Sequence, residues 1–481
     1  MKCYTHFYAD GRFLECTGAD RMALISPSRG ARIGDVVACS AHDVERAVHS
    51  ARAGFPAWSA SSIDDRRGAL RRLHHELESR AEAATQALAE EMGCPTWLGR
   101  LMQLPMPLKG LQFAIEGLEQ VQWRETIGNG IVERVPAGVV AAITPWNFPL
   151  HQITAKVAAA IGAGCSVILK PSEVAPGAAQ LFMEAVHACG LPAGVVNMVW
   201  GGPAVGEQLT THSEVDRVSF TGSTDVGRRI MASAAQGLKP VTLELGGKSA
   251  AVLLEDADLD AAIPAVVRLS MANSGQACVS QSRLIAPALL VPEIVERLRD
   301  AITSWPLGDP LEDATRLGPV ATEGQLQRVR RMIARAQEQG AQLVAGGAQP
   351  PTGLEQGWYV QPTLFSNVRP DMEIAQEEVF GPVLALLPYG SEEEAADFAN
   401  ATRYGLSGAV WSHDAGRAFD FARHMRTGQV VINGAAQNLA TPFGGWGLSG
   451  FGRENGRFGI EDLLNYRSLH GAAAFRNRRL G

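Results

Sequence analysis

Cys278 lies in the segment MANSGQACVSQSR, residues 271–283, where small and polar residues surround it. A free cysteine is most often a small buried hydrophobic side chain, and that interpretation stays open for Cys278 taken alone. The approach through Ser274, Gly275 and Gln276 is typical, however, of a loop that presents backbone N–H groups near the sulfur. Because a thiolate is a strong nucleophile, such a loop is also a place for a catalytic cysteine.

A carboxyl group and an amide group follow two of the apolar segments. Glu244 stands in PVTLEL just before two glycines, and Asn147 stands in TPWNFP between two prolines that stiffen its loop. Ligands of α/β proteins bind beyond the carboxyl ends of parallel strands, so a base at Glu244 and an oxyanion donor at Asn147 would face one crevice. Taken singly, Glu244 is equally a solvated strand-end residue and Asn147 a turn residue.

Two further segments have the residue types of a nucleotide site. VILKPSE places Lys170 and Glu173 just past a strand, and FTGSTDVG places Gly222 and Ser223 where a strand passes into a helix. Free N–H groups at a helix N-terminus favour phosphate. Neither segment is the Gly-x-Gly-x-x-Gly fingerprint, so spacing alone indicates a nucleotide only weakly. Together, however, the five polar groups supply a nucleophile, an oxyanion donor, a base and a nucleotide site.

The elements that must position these residues alternate between short apolar runs and helical segments. From residue 138 the runs GVVAAIT, SVILK, VVNMVW, VDRVSFT and PVTLEL are separated by helical patterns, and a second series follows residue 247. Such alternation predicts parallel sheets covered by helices on both faces. We therefore expect two α/β domains, the first of them doubly wound. Before them, the spacing of apolar residues predicts one helix over residues 64–92.

The segment VQWRETIGNGIVERV predicts a β-hairpin around its Gly-Asn-Gly turn. A hairpin outside the two sheets has little core of its own, so we expect it to pack against another subunit. The predicted organisation is a cofactor domain of residues 1–117 and 138–246, a catalytic domain of residues 247–446, and an oligomerisation element of residues 118–137 and 463–475.

Composition excludes several classes of protein. The 481 residues are 46% hydrophobic and 19% charged, with a formal net charge of −7, so a nucleic-acid partner is not expected. No apolar run is long enough for a membrane span, and the N-terminus has no signal-peptide pattern, so we expect a cytoplasmic protein. The seven cysteines form no Cys-x-x-Cys pair, which argues against a disulfide framework or a metal site.

With these segments in place, the sequence resembles the aldehyde dehydrogenase superfamily. TPWNFP, KPSE, FTGST, ELGGK, GQAC, EEVFGP and PFGGWGLSGFGRE occur in the family's order. The resemblance implies an NAD(P)-dependent oxidation of an aldehyde to a carboxylic acid. Cys278 would attack the aldehyde, and the Asn147 amide and the Cys278 N–H would hold the oxyanion. Glu244 would then activate water to hydrolyse the thioester, with Lys156 and Glu454 relaying its proton.

The same resemblance assigns the cofactor-binding residues. Lys170 and Glu173 would contact the adenosine ribose, Gly222 and Ser223 the pyrophosphate, and Glu378 and Phe380 the nicotinamide ribose, while Trp146 and Gly202 would line the cleft. We expect NAD rather than NADP, because Glu173 can accept bonds from both ribose hydroxyls and would repel a 2′-phosphate.

Two departures from the family pattern concern subunit contacts rather than catalysis. Gly447 stands where relatives often have a lysine, and Asn465-Tyr466-Arg467 replaces a Glu-x-Lys near the C-terminus. In such relatives that glutamate pairs with arginines at a subunit interface, so Arg453 is expected to lack this partner. A homodimer or homotetramer is still expected.

The residue types of the site also bear on three alternative functions. A CoA-acylating dehydrogenase would keep Cys278 but lack the general base, so Glu244 favours hydrolysis. A cofactor-independent cysteine hydrolase would need a histidine beside Cys278, and none stands in the motifs. A non-catalytic protein on this fold would have little reason to retain Cys278, Glu244 and Asn147 together.

The substrate-selecting residues are expected to include Leu150, His151, Gln152, the residues before and after Cys278, and residues 433–441. Their mixed apolar and neutral character predicts a medium-sized aliphatic, aromatic or semialdehyde substrate. The nearest cation, Arg283, is more distant, so a strongly anionic aldehyde is disfavoured.

Overall fold

The structure is a computed structural model that describes residues 1–471. In chain order its strands are β1 (Lys2–Tyr4), β2 (His6–Ala9), β3 (Arg12–Glu15), β4 (Arg21–Ser26), β5 (Ala31–Val37), β6 (Arg124–Ile127), β7 (Gly130–Pro136), β8 (Val139–Ile143), β9 (Ser166–Lys170), β10 (Val196–Met198), β11 (Arg217–Thr221), β12 (Val241–Glu244), β13 (Ala250–Leu253), β14 (Arg283–Pro287), β15 (Gln342–Gly347), β16 (Gln361–Ser366), β17 (Val383–Tyr389), β18 (Ser407–Trp411), β19 (Gln429–Ile432), β20 (Gly450–Phe451) and β21 (Leu464–His470).

The helices lie mainly between the strands. They are α1 (Ala41–Ser59), α2 (Ile63–Glu78), α3 (Ala81–Met92), α4 (Thr96–Leu98), α5 (Pro105–Gln120), α6 (Pro149–Ala163), α7 (Pro176–Ala188), α8 (Pro203–Thr211), α9 (Thr224–Gln236), α10 (Leu259–Met271), α11 (Val291–Thr303), α12 (Glu323–Glu338), α13 (Glu373–Gln376), α14 (Glu392–Asn400), α15 (Ala415–Ala422) and α16 (Gly456–Asp462). No helix within residues 1–471 is long and apolar enough to cross a membrane.

The first large sheet has eight strands in the order β20-β12-β11-β8-β9-β10-β2-β3. The central five, from β12 to β10, are parallel, while β2, β3 and β20 join in antiparallel orientation. Strands such as β8 and β9 are buried along their whole length, as expected of a sheet covered on both faces. Parallel pairing brings the carboxyl ends of β8, β11 and β12 to one edge, beside which the predicted site residues lie.

The second large sheet has seven strands in the order β15-β16-β17-β14-β13-β18-β19. All of its pairs are parallel except β15 with β16. Separate clusters of buried apolar side chains cover its two faces. The predicted α/β fold is therefore observed, with antiparallel strands added at the sheet edges. The exact domain boundaries stay a prediction.

The predicted hairpin forms as β6 and β7 around a turn at Gly128 and Asn129. β21 pairs antiparallel with β7 along its length, which makes a three-stranded sheet outside the two large ones. Residues 472–475 of the predicted oligomerisation element lie outside the described residues. A second small sheet, β1-β5-β4, stands near the N-terminus.

The prediction of one helix over residues 64–92 is wrong. The chain forms α2 and α3, separated at Ser79 and Arg80, where the Ser79 hydroxyl donates to the Glu76 carbonyl and competes with the helical pattern. The end of α3 at Gly93, in a left-handed conformation with φ of 82°, is as predicted. β1 to β5 and α1 precede this segment and were not predicted, although Ser40 and Asp43 form a capping box that begins α1.

Candidate active site

One cavity of about 510 Å³ lies between the two large sheets, beyond the carboxyl ends of β8, β11 and β12. Seven of the predicted site residues line it: Trp146, Asn147, Gly222, Ser223, Cys278, Glu378 and Phe380. The cavity thus joins the predicted nucleophile and the predicted cofactor residues in one space. Six other predicted residues do not line this cavity: Lys156, Lys170, Glu173, Gly202, Glu244 and Glu454.

Cys278 lies at the end of a strained turn. Asn273, Ser274 and Gly275 all have positive φ, and a Cβ on Gly275 would come within 2.0 Å of the Gly381 carbonyl oxygen. The Gln276 side chain secures the turn by accepting a bond from the Ala321 N–H at 2.8 Å. Strain of this kind persists only where surrounding structure enforces it, and it is concentrated at functional sites.

The sulfur of Cys278 faces two backbone donors, its own N–H and that of Val279. Burial, followed by the negative charges of Glu378 and Glu244, raises the pKa of the thiol to about 12. The thiol is therefore protonated at neutral pH and needs a proton acceptor when it attacks. The two N–H groups suit a negative charge that develops beside the sulfur.

Asn147 is held in the loop between β8 and α6. Its carbonyl accepts bonds from Gln103 Nε2 and Asn273 Nδ2, each at 2.9 Å, and its Nδ2 donates to the Gln276 carbonyl at 3.1 Å. An amide nitrogen carries two N–H groups, so one remains for a ligand. These bonds tie the Asn147 loop to the Cys278 turn and fix their relative position.

Glu244 is the last residue of β12 and is 2% exposed. Neither of its carboxyl oxygens has a hydrogen-bond partner among the described residues. Burial, followed by the charge of Glu454, raises the pKa of Glu244 well above its usual value. A buried carboxyl group without partners is costly, and one with a raised pKa has the properties of a general base.

Lys156 and Glu454 form a buried ion pair whose charges act on Glu244. Lys156 Nζ also donates to Thr221 Oγ1 at 2.7 Å. The two residues are 298 positions apart in the chain, and α6 and the segment before α16 bring them together. Lys156 and Glu454 are therefore near enough to influence the pKa of Glu244, and the proton relay through them stays a prediction.

The residues at the nicotinamide end of the predicted cofactor site are closely packed against each other. Glu378 accepts a bond from the Gly247 N–H at 3.0 Å, and a Cβ on Gly246 would come within 2.3 Å of its other carboxyl oxygen. Burial raises the pKa of Glu378 to about 7. Phe380 has a positive φ of 57°, and its ring packs edge-on against Trp146 with centroids 5.6 Å apart.

The adenosine end contains a charged pair and two helix N-termini. Lys170 Nζ lies 3.6 Å from a Glu173 carboxyl oxygen, and burial lowers the pKa of Lys170. Gly202 precedes α8, and a Cβ there would meet nothing within 4 Å. Ser223 caps α9 by accepting from the Val226 N–H. The uncapped N-terminus of α8, the Ser223-capped N-terminus of α9 and the ion pair are the residue types that suit a pyrophosphate and a ribose.

Several residues that shape the site were not predicted. Gln103, on a π-helical turn of residues Gly99–Gln103, supports Asn147, and π turns often occur at functional sites. Gln325 and Arg328 of α12 line the cavity. Lys248 is buried, its Nζ has no partner within residues 1–471, and burial lowers its pKa to about 7. Only the ELGGK segment signalled Lys248.

Leu150, one of the expected substrate-selecting residues, does not line the cavity. Leu150 is wholly buried in the core of the first sheet. Arg283 is also buried, and its guanidinium donates to the carbonyls of Lys248, Phe398 and Ala399 at 2.7–3.0 Å, so it is occupied within the fold. Arg453 donates to the carbonyls of Gly445 and Gly452.

A two-sheet α/β fold with a cysteine and an amide at one cavity, and a buried carboxyl group whose charge acts on that cysteine, defines a class of dinucleotide-dependent enzyme that works through a thiol. The family model of the aldehyde dehydrogenase family matches residues 13–469. The chain belongs to the aldehyde dehydrogenase family, as its motifs predicted.

Individual relatives match along almost the whole chain. 3-Succinoylsemialdehyde-pyridine dehydrogenase of Pseudomonas sp is 42% identical over 473 residues, which are 98% of this chain and 99% of the relative. A cysteine-to-alanine mutant of aldehyde dehydrogenase C from Pseudomonas syringae, solved with NAD+ and octanal, is 41% identical with a TM-score of 0.96 and 97% of each chain covered. A Mycobacterium tuberculosis aldehyde dehydrogenase, solved with NAD+, is 39% identical with a TM-score of 0.95 and 98% of each chain covered.

Proposed function

We propose that this protein oxidises an aldehyde to a carboxylic acid with NAD+ as the hydride acceptor. The observation that supports this most directly is the cavity that is lined both by Cys278 and by five of the eight proposed cofactor residues. Asn147 lines the same cavity, and Glu244 acts on the Cys278 thiol through its charge. A nucleophile, an oxyanion donor and a base are thus assembled where a cofactor can reach them.

In the first half of the reaction, Cys278 Sγ attacks the aldehyde carbon and Glu244 accepts the thiol proton. The free Asn147 N–H and the Cys278 backbone N–H stabilise the resulting alkoxide. When bound, NAD+ accepts the hydride from that carbon, which leaves a thioester on Cys278. The high pKa of the thiol requires a base at this step. Glu244 is near enough for its charge to raise the pKa of that thiol.

In the second half, Glu244 removes a proton from a water that attacks the thioester. Glu244 must first release the proton taken from Cys278, and the Lys156–Glu454 pair offers the path. Hydrolysis restores the thiol and releases the acid. In the overall reaction, aldehyde, NAD+ and water are converted into the ionised carboxylic acid, NADH and two protons.

For the cofactor, Lys170 and Glu173 would hold the adenosine ribose, and Gly222 and Ser223 would hold the pyrophosphate. Glu378 and Phe380 would hold the nicotinamide ribose, with Trp146 and Gly202 along the cleft. Glu173 favours NAD+ over NADP+, because its carboxylate would repel a 2′-phosphate. The relatives solved with NAD+ support the same assignment.

Hydrolysis is proposed over transfer to CoA because Glu244 is present and its carboxyl oxygens are free to bond a water. Adding CoA to the reaction should leave the free acid as the product, which mass spectrometry of the products can measure. Acyl-CoA as the main product would show that the thioester is transferred instead.

The substrate proposed is a medium-sized, uncharged aldehyde or semialdehyde. Arg283 is occupied by three backbone carbonyls and is not available to bind an anionic substrate. The relatives act on a pyridine-bearing semialdehyde in one case and were solved with octanal in another, by their names.

The experiment that tests the proposed function is NADH formation by the purified protein with aliphatic, aromatic and semialdehyde substrates, with NADP+ in parallel. Turnover should be faster with NAD+ and should require an aldehyde. Absence of NADH with every aldehyde in reduced protein would contradict the proposal.

A homodimer or homotetramer is proposed through the three-stranded sheet. Most of β21 is exposed in the single chain, including 71% of Tyr466. An exposed strand at a sheet edge can pair with another chain, and apolar side chains on it favour burial.

A further inference from the structure

The hydroxyl group of Tyr404 lies near residues from both sides of the cavity. Tyr404 lies on the loop before β18, and its hydroxyl donates to Glu377 Oε2 at 3.3 Å. On the opposite side, Thr224 is the first residue of α9, and its side chain is near enough to the Tyr404 hydroxyl to lower that group's pKa. Thr224 Oγ1 also donates to the Leu448 carbonyl at 3.2 Å. All four residues line the cavity.

The position of this contact relates it to the cofactor rather than to the aldehyde. Thr224 follows Ser223, the proposed pyrophosphate residue, and Glu377 precedes Glu378, the proposed ribose residue. The Glu377 carboxylate is approached from a second side by Arg403 Nη2, 3.9 Å from its Oε1. The contact therefore links the residues next to both inner parts of a bound dinucleotide.

The Tyr404 hydroxyl is suited to remain a proton donor throughout the working pH range. Burial and the charges of Glu377 and Glu378 raise its pKa to about 12. A hydroxyl that faces a carboxylate makes a charge-assisted bond, which is stronger than a bond between neutral groups.

We propose that Tyr404 is a positioning residue that, with Thr224 and Glu377, closes the cavity over the bound dinucleotide and holds Glu378 in place. This proposal rests on the proposed NAD+ site. It adds a role for Tyr404, Thr224 and Glu377 in retaining the cofactor without contact with the reacting atoms.

Tyr404→Phe tests the proposal because it removes one oxygen and keeps the ring. Losing a bond to a charged group should weaken NAD+ and NADH binding about tenfold, measured as Kd by quenching of protein fluorescence. NADH should also dissociate faster in stopped flow, while the aldehyde KM stays within about twofold. An unchanged Kd for both nucleotides would overturn the proposal.

Tyr389→Phe is the matched control. The Tyr389 hydroxyl is also buried and donates to the Leu253 carbonyl at 3.0 Å, but it does not line the cavity. This variant should bind NAD+ as the unmodified protein does, and thermal unfolding of both variants shows whether either is misfolded. If Tyr389→Phe weakens NAD+ binding as much as Tyr404→Phe, the effect is general and the proposal fails.

Thr224→Val, alone and combined with Tyr404→Phe, tests whether the two sides act together. If they form one contact, the double variant should bind NAD+ little more weakly than Tyr404→Phe alone, whereas independent effects would multiply. The unmodified protein separates the two proposals: if it does not bind NAD+, the proposed function fails. If it binds NAD+ and Tyr404→Phe binds equally well, only the role of Tyr404 fails.

Discussion

Glu244 and Cys278 are two titratable groups in the same buried surroundings. Burial raises the pKa of both, and the charge of Glu244 is one of the reasons why the Cys278 thiol stays protonated. When an ionised Glu244 accepts the thiol proton, its negative charge disappears as the thiolate forms, so the two repelling charges need not exist together. This coupling explains physically why a buried carboxyl group without partners is retained at the end of β12.

Replacing Asn147 with alanine should lower kcat by about a hundredfold to a thousandfold, the usual cost of removing one oxyanion donor. The Kd for NAD+ should change little, because Asn147 contacts the turn that carries Cys278 rather than the proposed ribose and phosphate residues. Steady-state kinetics and nucleotide titration measure the two effects. A variant with full kcat would remove Asn147 from the mechanism.

The affinity for NAD+ should depend on the protonation of Glu378. Its pKa is raised to about 7, so it is protonated below that pH and ionised above it. A ribose hydroxyl donates best to a carboxylate, so the Kd for NAD+ should fall as pH rises through about 7. Glu378→Gln, which cannot ionise, should bind more weakly at high pH and lose this dependence. A Kd that rises over the same range would contradict the assignment.

At the scale of elements, the alternation of apolar runs and helical patterns was sufficient to predict the strands that position the site. Asn147 and Gly222 follow the ends of β8 and β11, and Glu244 is the last residue of β12. These strands were predictable because buried parallel strands are continuous runs of apolar residues. The break between α2 and α3 was not predictable from periodicity, since apolar spacing continues through it. The Lys156–Glu454 pair came only from the family resemblance, as no local pattern relates residues 298 positions apart.

The Cys278 turn provides a test of how tightly an element is specified. Gly275→Ala would place a Cβ within 2.0 Å of the Gly381 carbonyl oxygen at a φ of +70°. We expect the melting temperature to fall and kcat to drop with it, because the turn must shift. Gly324→Ala is the control: Gly324 is exposed on α12 with nothing within 4 Å, so stability should be unchanged or up to about 1 kcal/mol higher. Equal melting temperatures for the two variants would show that the turn is not constrained.

At the scale of the whole molecule, the three-stranded sheet has apolar side chains that are exposed in the single chain. Ile127, Tyr466 and Leu469 are exposed apolar side chains on it, while Arg467 is paired with Glu133 at 2.7 Å. The hairpin was predictable from its turn, but the pairing of β21 with β7 joins residues more than three hundred positions apart. The sequence analysis assigned residues 463–475 to the same element as the hairpin, but it did not predict that they form a strand paired with β7.

Light scattering of the purified protein should give a mass that is a multiple of the single chain. Tyr466→Asp should shift the protein toward smaller species, because it places a charge on the exposed face that would be buried. Ser233→Asp is the control: it introduces the same charge on α9, away from the sheet, and should leave the mass unchanged. A monomer at all concentrations for the unmodified protein would contradict the proposed assembly.

The central claim is that Cys278 carries the acyl group and that Glu244 clears it, and the intact mass of the Glu244→Gln variant tests it most directly. Because Glu244 serves as the base in both half-reactions, the acyl group should form slowly in this variant but remain on Cys278 once formed. After prolonged reaction with an aldehyde and NAD+, the variant should therefore gain the mass of one acyl group, located on Cys278 by peptide mapping, while turnover falls by about a hundredfold or more. The variant that also has Cys278→Ala should gain no mass and form no NADH. Continued NADH formation without Cys278, or rapid turnover without Glu244 and with no acyl adduct, would contradict the account.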